Sequence, residues 1–209
     1  HQINAFLLQL QNSPPPLARI DQINTEKYSE DAFTKFEIIT SQPQAGAFVP
    51  ISPDIAICSQ CQSELFDQHN RRFRYPFINC TNCGPRFTII QDIPYDRPKT
   101  TMAGFCMCDD CHQEYENPLN RRFHAQPIAC PVCGPQMVFT TPDISETGED
   151  AIQLARKWLK KGKIIAVKGL GGYHLACDAS NDQAVKLLRN RKQRSDKPFA
   201  IMAFDLQII

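Results

Sequence analysis

Eight of the ten cysteines fall into four Cys-x2-Cys pairs: Cys58 and Cys61, Cys80 and Cys83, Cys108 and Cys111, Cys130 and Cys133. Eighteen residues separate the first pair from the second, twenty-four the second from the third, and eighteen the third from the fourth. Two thiols three residues apart on a tight turn can aim both sulfurs at one ion. Two such turns close a tetrahedral four-sulfur shell with metal–sulfur distances of about 2.3 Å. The expectation is two zinc sites, Cys58/Cys61/Cys80/Cys83 and Cys108/Cys111/Cys130/Cys133, with iron as the alternative metal. Disulfides fit the spacing less well. A filled thiolate shell leaves no position for water or substrate, so both sites are expected to be structural. Each module has few apolar residues, and metal binding, roughly 10–16 kcal/mol apparent for a structural site, must supply much of its folding free energy.

The second site is the first shifted by fifty residues, and more than cysteines repeat. Asn70-Arg71-Arg72-Phe73 returns as Asn120-Arg121-Arg122-Phe123, Ile78 as Ile128, and Gly84-Pro85 as Gly134-Pro135. This is a duplicated module. Gly84 and Gly134 follow the last ligands, where a positive φ would close the turn, and strands are expected over 86–90 and 137–139. The twin arginines read most simply as surface or inter-domain salt-bridge residues, with phosphate binding as the sharper alternative. Cys106 has no counterpart, since Ala56 stands in its place, and is taken as a bystander. His69, His112 and His124 are assigned surface or supporting roles because four thiolates already complete each shell. Cys177 reads as a small buried hydrophobe.

A second kind of chemistry is suggested beyond the cysteines. Lys168-Gly169-Leu170-Gly171-Gly172 follows an expected buried strand over 163–167. Such a turn lets backbone amides approach a phosphate, with Lys168 as counter-charge, although a plain turn has the same composition. The run Arg189 to Lys197 carries five cations and one carboxylate. It is either a solvated helix end or part of a polyphosphate site, which needs several donors at close range.

The elements that would carry these residues follow from periodicity and punctuation. Ile3, Phe6, Leu7 and Leu10 recur at helical spacing until Pro14-Pro15-Pro16 ends the helix. Strands are expected over 18–28 and 36–40, then a linker over 41–53 and a polar, acidic one over 141–150. Thr147 and Asp150 suit a helix start, and Ile152, Ala155, Trp158 and Leu159 form its apolar face up to Gly162. Asn181 or Asp182 can cap a further helix. The 23 basic and 22 acidic residues cancel to a net charge of +1, leaving no global field for nucleic acid or an anionic membrane. No apolar run is long enough to span a bilayer, and no signal peptide is visible. The chain starts at His1 and stops soon after an apolar run, and both ends are expected to be cuts in a longer polypeptide.

Several stretches are specific enough to resemble a known family. These are Ser52-Pro53-Asp54-Ile55-Ala56-Ile57-Cys58, the run Tyr75 to Ile89 around Cys80-Thr81-Asn82-Cys83-Gly84-Pro85-Arg86-Phe87, Pro94-Tyr95-Asp96-Arg97, and Arg121 to Pro131. Together with the cysteine spacing they resemble the zinc-finger region of the HypF family of NiFe-hydrogenase maturation carbamoyltransferases. Val167 to Leu175 and Arg191 to Met202 are similar to the start of the YrdC-like domain of that family. Residues 1–41 are similar to the last helix and two strands of its acylphosphatase-like domain. The implied fold is a multidomain α+β chain: the C-terminal half of a ferredoxin-like acylphosphatase domain (1–41), a linker (42–53), tandem four-cysteine fingers (54–140, with metal modules 58–83 and 108–133), and the beginning of an α/β YrdC-like domain (145–209).

The resemblance implies an ATP-dependent, cytoplasmic carbamoyltransferase or ligase. Carbamoyl phosphate is hydrolysed to carbamate, carbamate is adenylated with ATP and Mg2+, and the carbamoyl group passes to the C-terminal cysteine of the partner HypE. That group becomes a cyanide ligand of the hydrogenase iron. Adenylation asks for cations around the α-phosphate and the departing pyrophosphate. Lys192, Arg194 and Lys197 match the family motif K-x-R-x-x-K-P and are the expected nucleotide contacts, with Lys168 and Ser195 next.

The alternative is an RNA-binding zinc-ribbon protein related to YrdC-type tRNA-modification factors, and a purely structural interaction module is a third reading. The near-neutral charge and the lack of a basic stripe with interleaved aromatics weigh against RNA, double-stranded RNA included. No membrane partner is expected. The first third of the YrdC-like part is present, the transfer domain is absent, and the acylphosphatase-like part lacks its early arginine and asparagine. The chain alone is therefore expected to bind zinc and catalyse nothing. Phosphate release from carbamoyl phosphate by the purified 209-residue chain would contradict this.

Overall fold

The computed structural model describes residues 2–26 and 50–208. The chain divides into two compact units, His1–Gly134 and Pro135–Ile209. Among the described residues no helix is long and apolar enough to cross a membrane.

The first unit opens with helix α1 (Gln2–Asn12), which stops just ahead of the proline run and buries none of its residues. The strand expected over 18–28 is not formed in its described part, residues 18–26. A strand needs a ladder partner for its N–H and C=O groups, and none of the described residues pairs with it. The strand expected over 36–40 and most of the 42–53 linker lie outside the described residues.

Each finger is a turn, a short helix and a second turn. The first ligand pair sits at a helix start: Cys58 is the N-cap of α2 (Ser59–Phe66), and its Sγ accepts from the Cys61 N–H at 3.5 Å. Cys108 occupies the same position before α3 (Asp109–Glu116). One helical turn therefore places both sulfurs of each pair on one side. Beyond the helix, Arg74 and His124 take left-handed φ values of 57° and 50°, uncommon for residues with a Cβ. Their N–H groups donate to Leu65 O and Tyr115 O at 2.8 and 3.0 Å, which folds each loop back along its helix. The second ligand pairs lie on knuckles, with Asn82 N–H donating to Cys80 Sγ at 3.3 Å and Val132 N–H to Cys130 Sγ at 3.4 Å.

The two glycines after the ligands solve different problems. Gly84 has φ +99°, as the turn argument requires, whereas Gly134 is not left-handed. A Cβ on Gly134 would stand 2.2 Å from Tyr75 Oη and 2.5 Å from Ala129 Cβ, so a close approach fixes that residue. The strand expected over 86–90 is also absent. Arg86 and Thr88 give their N–H groups to Asp54 Oδ1 at 2.7 and 3.1 Å, and a side-chain acceptor thus replaces the ladder. Arg97 is buried and donates to Gln126 O, Ile128 O and Phe105 O, pinning the inter-finger segment with its short 3-10 helices, Arg97–Lys99 and Thr101–Gly104.

The cores are small and made largely of sulfur. Cys61, Cys80 and Cys83 pack with Tyr75, Ile78, Met102 and Ala129. Cys111 and Cys130 pack with Ala125 and Ile128. Ala129 belongs to the second finger by sequence and to the core of the first by packing.

In the second unit, β1 (Val138–Thr140) and β2 (Ser145–Thr147) form an antiparallel pair ahead of helix α4 (Gly148–Lys160). The expected strand at 137–139 therefore exists, and the polar segment after it supplies its partner. Thr147 stands at the N-cap of α4, and Trp158 meets Phe139 edge-on at 5.4 Å. β3 (Ile165–Lys168) and β4 (Tyr173–Ala176) make a hairpin closed by Gly169 N–H to Gly172 O at 2.7 Å. The strand expected to be buried is exposed along Ala166, Val167 and Lys168, because it has one pairing partner and little packed over it. Helix α5 (Asp182–Lys192) starts at Asn181, whose side chain accepts from Ala184 N–H at 3.0 Å, and ends on left-handed Gln193.

Gly134→Ala is expected to cost about 1–3 kcal/mol, the range for forcing extra volume into a packed site. Gly104→Ala, where a Cβ would meet nothing within 4 Å, should stay within about 0.5 kcal/mol of the parent. Thermal unfolding of the zinc-loaded chain compares the two.

Candidate metal centres

The four sulfurs of each cluster lie within 4.8 Å of one another. Cys58 to Cys80 and Cys80 to Cys83 are 3.8 Å apart, and Cys108 to Cys130 and Cys130 to Cys133 are 3.7 Å. A disulfide needs about 2.05 Å. A tetrahedron of zinc–sulfur bonds of about 2.3 Å has sulfur–sulfur edges of about 3.8 Å. The clusters therefore fit four-thiolate zinc sites, which would hold the two halves of each finger together. The Sγ of Cys61, hydrogen-bonded to Cys80, and the Asn82 N–H hold the Cys80 thiol below its ordinary value despite its burial. Cys106 is exposed and outside both clusters. His69, His112 and His124 belong to neither cluster, and His124 stacks on Tyr115 at 4.7 Å.

The twin arginines form salt bridges between the two fingers, as the inter-domain reading expected, and are neither surface residues nor free for phosphate: each pair crosses to the opposite finger. Arg71 donates to Cys108 and Cys130 Sγ at 3.3 Å and to Cys111 Sγ at 3.6 Å. Arg72, whose side chain is 1% exposed, donates to Ala129 O at 2.8 Å, to Cys111 Sγ at 3.3 Å and to both oxygens of Glu114. In return, Arg121 donates to Cys61 Sγ at 3.1 Å and to Glu64 at 3.0 Å. Arg122 donates to Asn79 O at 3.0 Å and to Glu64. Asn79 and Ala129 each directly precede a ligand cysteine, Cys80 and Cys130. Burial works against the ionised Glu64 and Glu114, but hydrogen bonds from Arg122 and Arg121 to the first and from Arg72 to the second outweigh it. Both carboxyls are held below their ordinary value.

The second cluster of expected site residues lies in the other unit. Lys168 ends β3 and Lys192 ends α5. Among the described residues the side chains of Lys168, Lys192 and Lys197 make no hydrogen bond or ion pair, and all three are exposed. Arg194 donates to Pro198 O at 3.2 Å, and Ser195 to Asp196 at 2.6 Å. Arg189 organises this turn, which the charge pattern alone did not disclose. It donates to Arg194, Ser195 and Lys197 carbonyls at 3.1–3.4 Å and lies 4.6 Å over the Phe199 ring. Cys177 is half-buried.

Comparison with known proteins agrees with this geometry. Residues 57–90 and 107–140 match the family described as HypF finger, and residues 157–209 match the Sua5/YciO/YrdC family, described as Telomere recombination. The chain thus joins paired four-cysteine fingers to a Sua5/YrdC-type segment. It is 55% identical over 202 residues to Carbamoyltransferase HypF of Synechocystis sp., covering 94% of this chain and 26% of that protein. Identity to the protein of that name from Rhodobacter capsulatus is 52% over 199 residues, covering 95% and 26%. A crystal structure of T. kodakarensis HypF superposes with a TM-score of 0.84 at 53% identity, covering 98% of this chain and 26% of that one. A full-length HypF in the phosphate- and nucleotide-bound form gives 0.82 at 48%, covering 99% and 27%. The chain belongs to the HypF family and spans about a quarter of the length of the curated relatives it matches.

Removing one partner of a buried ion pair leaves an uncompensated charge, at a cost of about 3–5 kcal/mol. Because Glu114 is partly exposed, Glu114→Ala should lie near the low end, about 3 kcal/mol in urea unfolding at neutral pH. The sign with pH follows from the depressed carboxyls. Pairing stabilises above the ordinary 4.5 and is lost as pH falls through the lower folded value. The gap between the parent and Glu114→Gln should therefore be widest near neutral pH and shrink below 4.5.

Proposed function

We propose that this chain is part of an ATP-dependent carbamoyltransferase of NiFe-hydrogenase maturation, acting in the cytoplasm. The enzyme would take carbamoyl phosphate and ATP with Mg2+, form a carbamoyl adenylate, and deliver the carbamoyl group to the C-terminal cysteine of HypE. The observation that carries this is identity of about half of all positions to HypF proteins along nearly the whole chain. The proposed organisation is an acylphosphatase-like part at 1–41, a linker at 42–53, fingers at 54–140 and a YrdC-like part at 145–209.

In this reading Cys58, Cys61, Cys80 and Cys83 hold one zinc, and Cys108, Cys111, Cys130 and Cys133 hold the other. Both ions tie scaffold together and touch no substrate. Lys192, Arg194 and Lys197 contact the nucleotide, with Lys168 and Ser195 beside them. The exposed ammonium groups of Lys168, Lys192 and Lys197 are uncommitted, as an anion site requires. Arg189 holds the turn that carries Arg194, Ser195 and Lys197. Charge grows on the α-phosphate and pyrophosphate during adenylation, and fixed cations stabilise it there more than in the ground state.

The test is a chimaera in which this chain replaces the matching stretch of the Synechocystis protein. It should support carbamoyl-phosphate-dependent exchange of pyrophosphate into ATP. Lys192→Ala and Arg194→Ala should each lower that exchange by about 100-fold, the scale for removing one preorganised donor. Full exchange in both variants would remove these residues from the site, and a chimaera that instead binds tRNA with steep salt dependence would favour the RNA alternative.

A further inference from the structure

We infer that the two metal sites load and empty as one cooperative unit, with Arg71 and Arg121 as the residues that couple them. The loop from Asp67 to Tyr75 lies between the two ligand pairs of the first site, so an ion at Cys58, Cys61, Cys80 and Cys83 fixes both of its ends. That loop carries Arg71, whose guanidinium reaches Cys108, Cys111 and Cys130 of the second site at 3.3–3.6 Å. The loop from Asn117 to Ala125 is held the same way by the second site. It carries Arg121, which reaches Cys61 at 3.1 Å and Cys58 at 3.9 Å.

The knuckles are crossed as well. Arg72 holds the carbonyl just before Cys130, and Arg122 the carbonyl just before Cys80. Each ion thus orders the loop whose arginines complete the shell around the other. A zinc ion with four thiolates carries two net negative charges, and its nearest cations are supplied by the other finger. When one ion leaves, the remaining site loses fixed donors to its thiolates and a held knuckle. Affinity at one site therefore depends on occupancy of the other, and linkage makes the dependence reciprocal. Glu64 and Glu114 position the arginines: Glu64 accepts from Arg121 and Arg122, and Glu114 from Arg72 while pairing with Arg71 at 3.4 Å.

The test extracts zinc from the loaded chain with a limiting amount of chelator under reducing conditions and counts ions per molecule by native mass spectrometry. Two equal and independent sites would leave half of the chains with one zinc at half extraction. Tenfold coupling, well inside the usual range, lowers that share to about a quarter. A one-zinc share of half or more overturns the proposal. The double variant Arg71→Gln with Arg121→Gln, which leaves the more buried Arg72 and Arg122 in place, should raise the share to about half. A low share unchanged in the variant would show that Arg71 and Arg121 are not the coupling.

Discussion

The first unit depends on an exchange of guanidinium groups between two fingers that cannot complete themselves. A four-thiolate zinc shell is an anion of charge two, and burying it needs cations and N–H donors close to sulfur. Neither finger supplies enough from its own segment. Arg71 and Arg72 come to Cys108, Cys111 and Cys130 from the first finger, and Arg121 comes to Cys58 and Cys61 from the second. Arg97, from the segment between them, adds hydrogen bonds to Gln126 and Ile128 carbonyls. The apolar clusters around the sulfurs are too small to hold the fingers together by burial alone, which puts metal and charge at the centre of the stability of the unit.

The fifty-residue repeat acquires a structural meaning from this exchange. Arg72 pairs with Glu114 and Arg122 with Glu64; Arg72 holds Ala129 O and Arg122 holds Asn79 O. Adding or subtracting fifty turns each contact into its counterpart, the signature of a two-fold, self-complementary interface, here within one chain. The departures from symmetry are local and have local causes. Gly84 needs a left-handed backbone, whereas Gly134 needs room beside Tyr75. Arg86 ties down Cys80, Thr81 and Cys83 carbonyls in the first finger, and Gln136 stands at the matching position of the second.

The two four-sulfur clusters were legible because they are a local matter: spacing decides which sulfurs can come together. Helix starts at Thr147 and Asn181 were legible for the same reason. The crossing arginines were legible as inter-domain ion pairs but not as donors to the other finger's sulfurs and carbonyls, since a charge pattern along the chain shows only near neighbours, and those partners lie about forty to sixty residues away. A signal did exist. Glu64 recurs as Glu114 in register with Arg72 and Arg122, so both signs of charge are repeated with the ligands. A strand over 86–90 was suggested by its apolar content, but Asp54, thirty-two residues earlier, takes the N–H of Arg86. The burial expected for 163–167 failed because it depends on what covers the strand, and a segment does not carry that information.

The two units use cations in opposite ways. In the fingers each twin arginine is committed to thiolate, carboxylate or carbonyl, and Arg72 and Arg122 are buried besides. A guanidinium with its donors so occupied can tune a metal shell but cannot greet a substrate phosphate without dismantling that shell. In the second unit Arg189 spends its guanidinium on three carbonyls and the face of Phe199, while Lys168, Lys192 and Lys197 are exposed and have no partner among the described residues. A binding site for a polyanion needs both a frame that is fully satisfied and charges that are not. Among the described residues that combination occurs on α5 and the turn after it, and the twin arginines of the fingers do not share it.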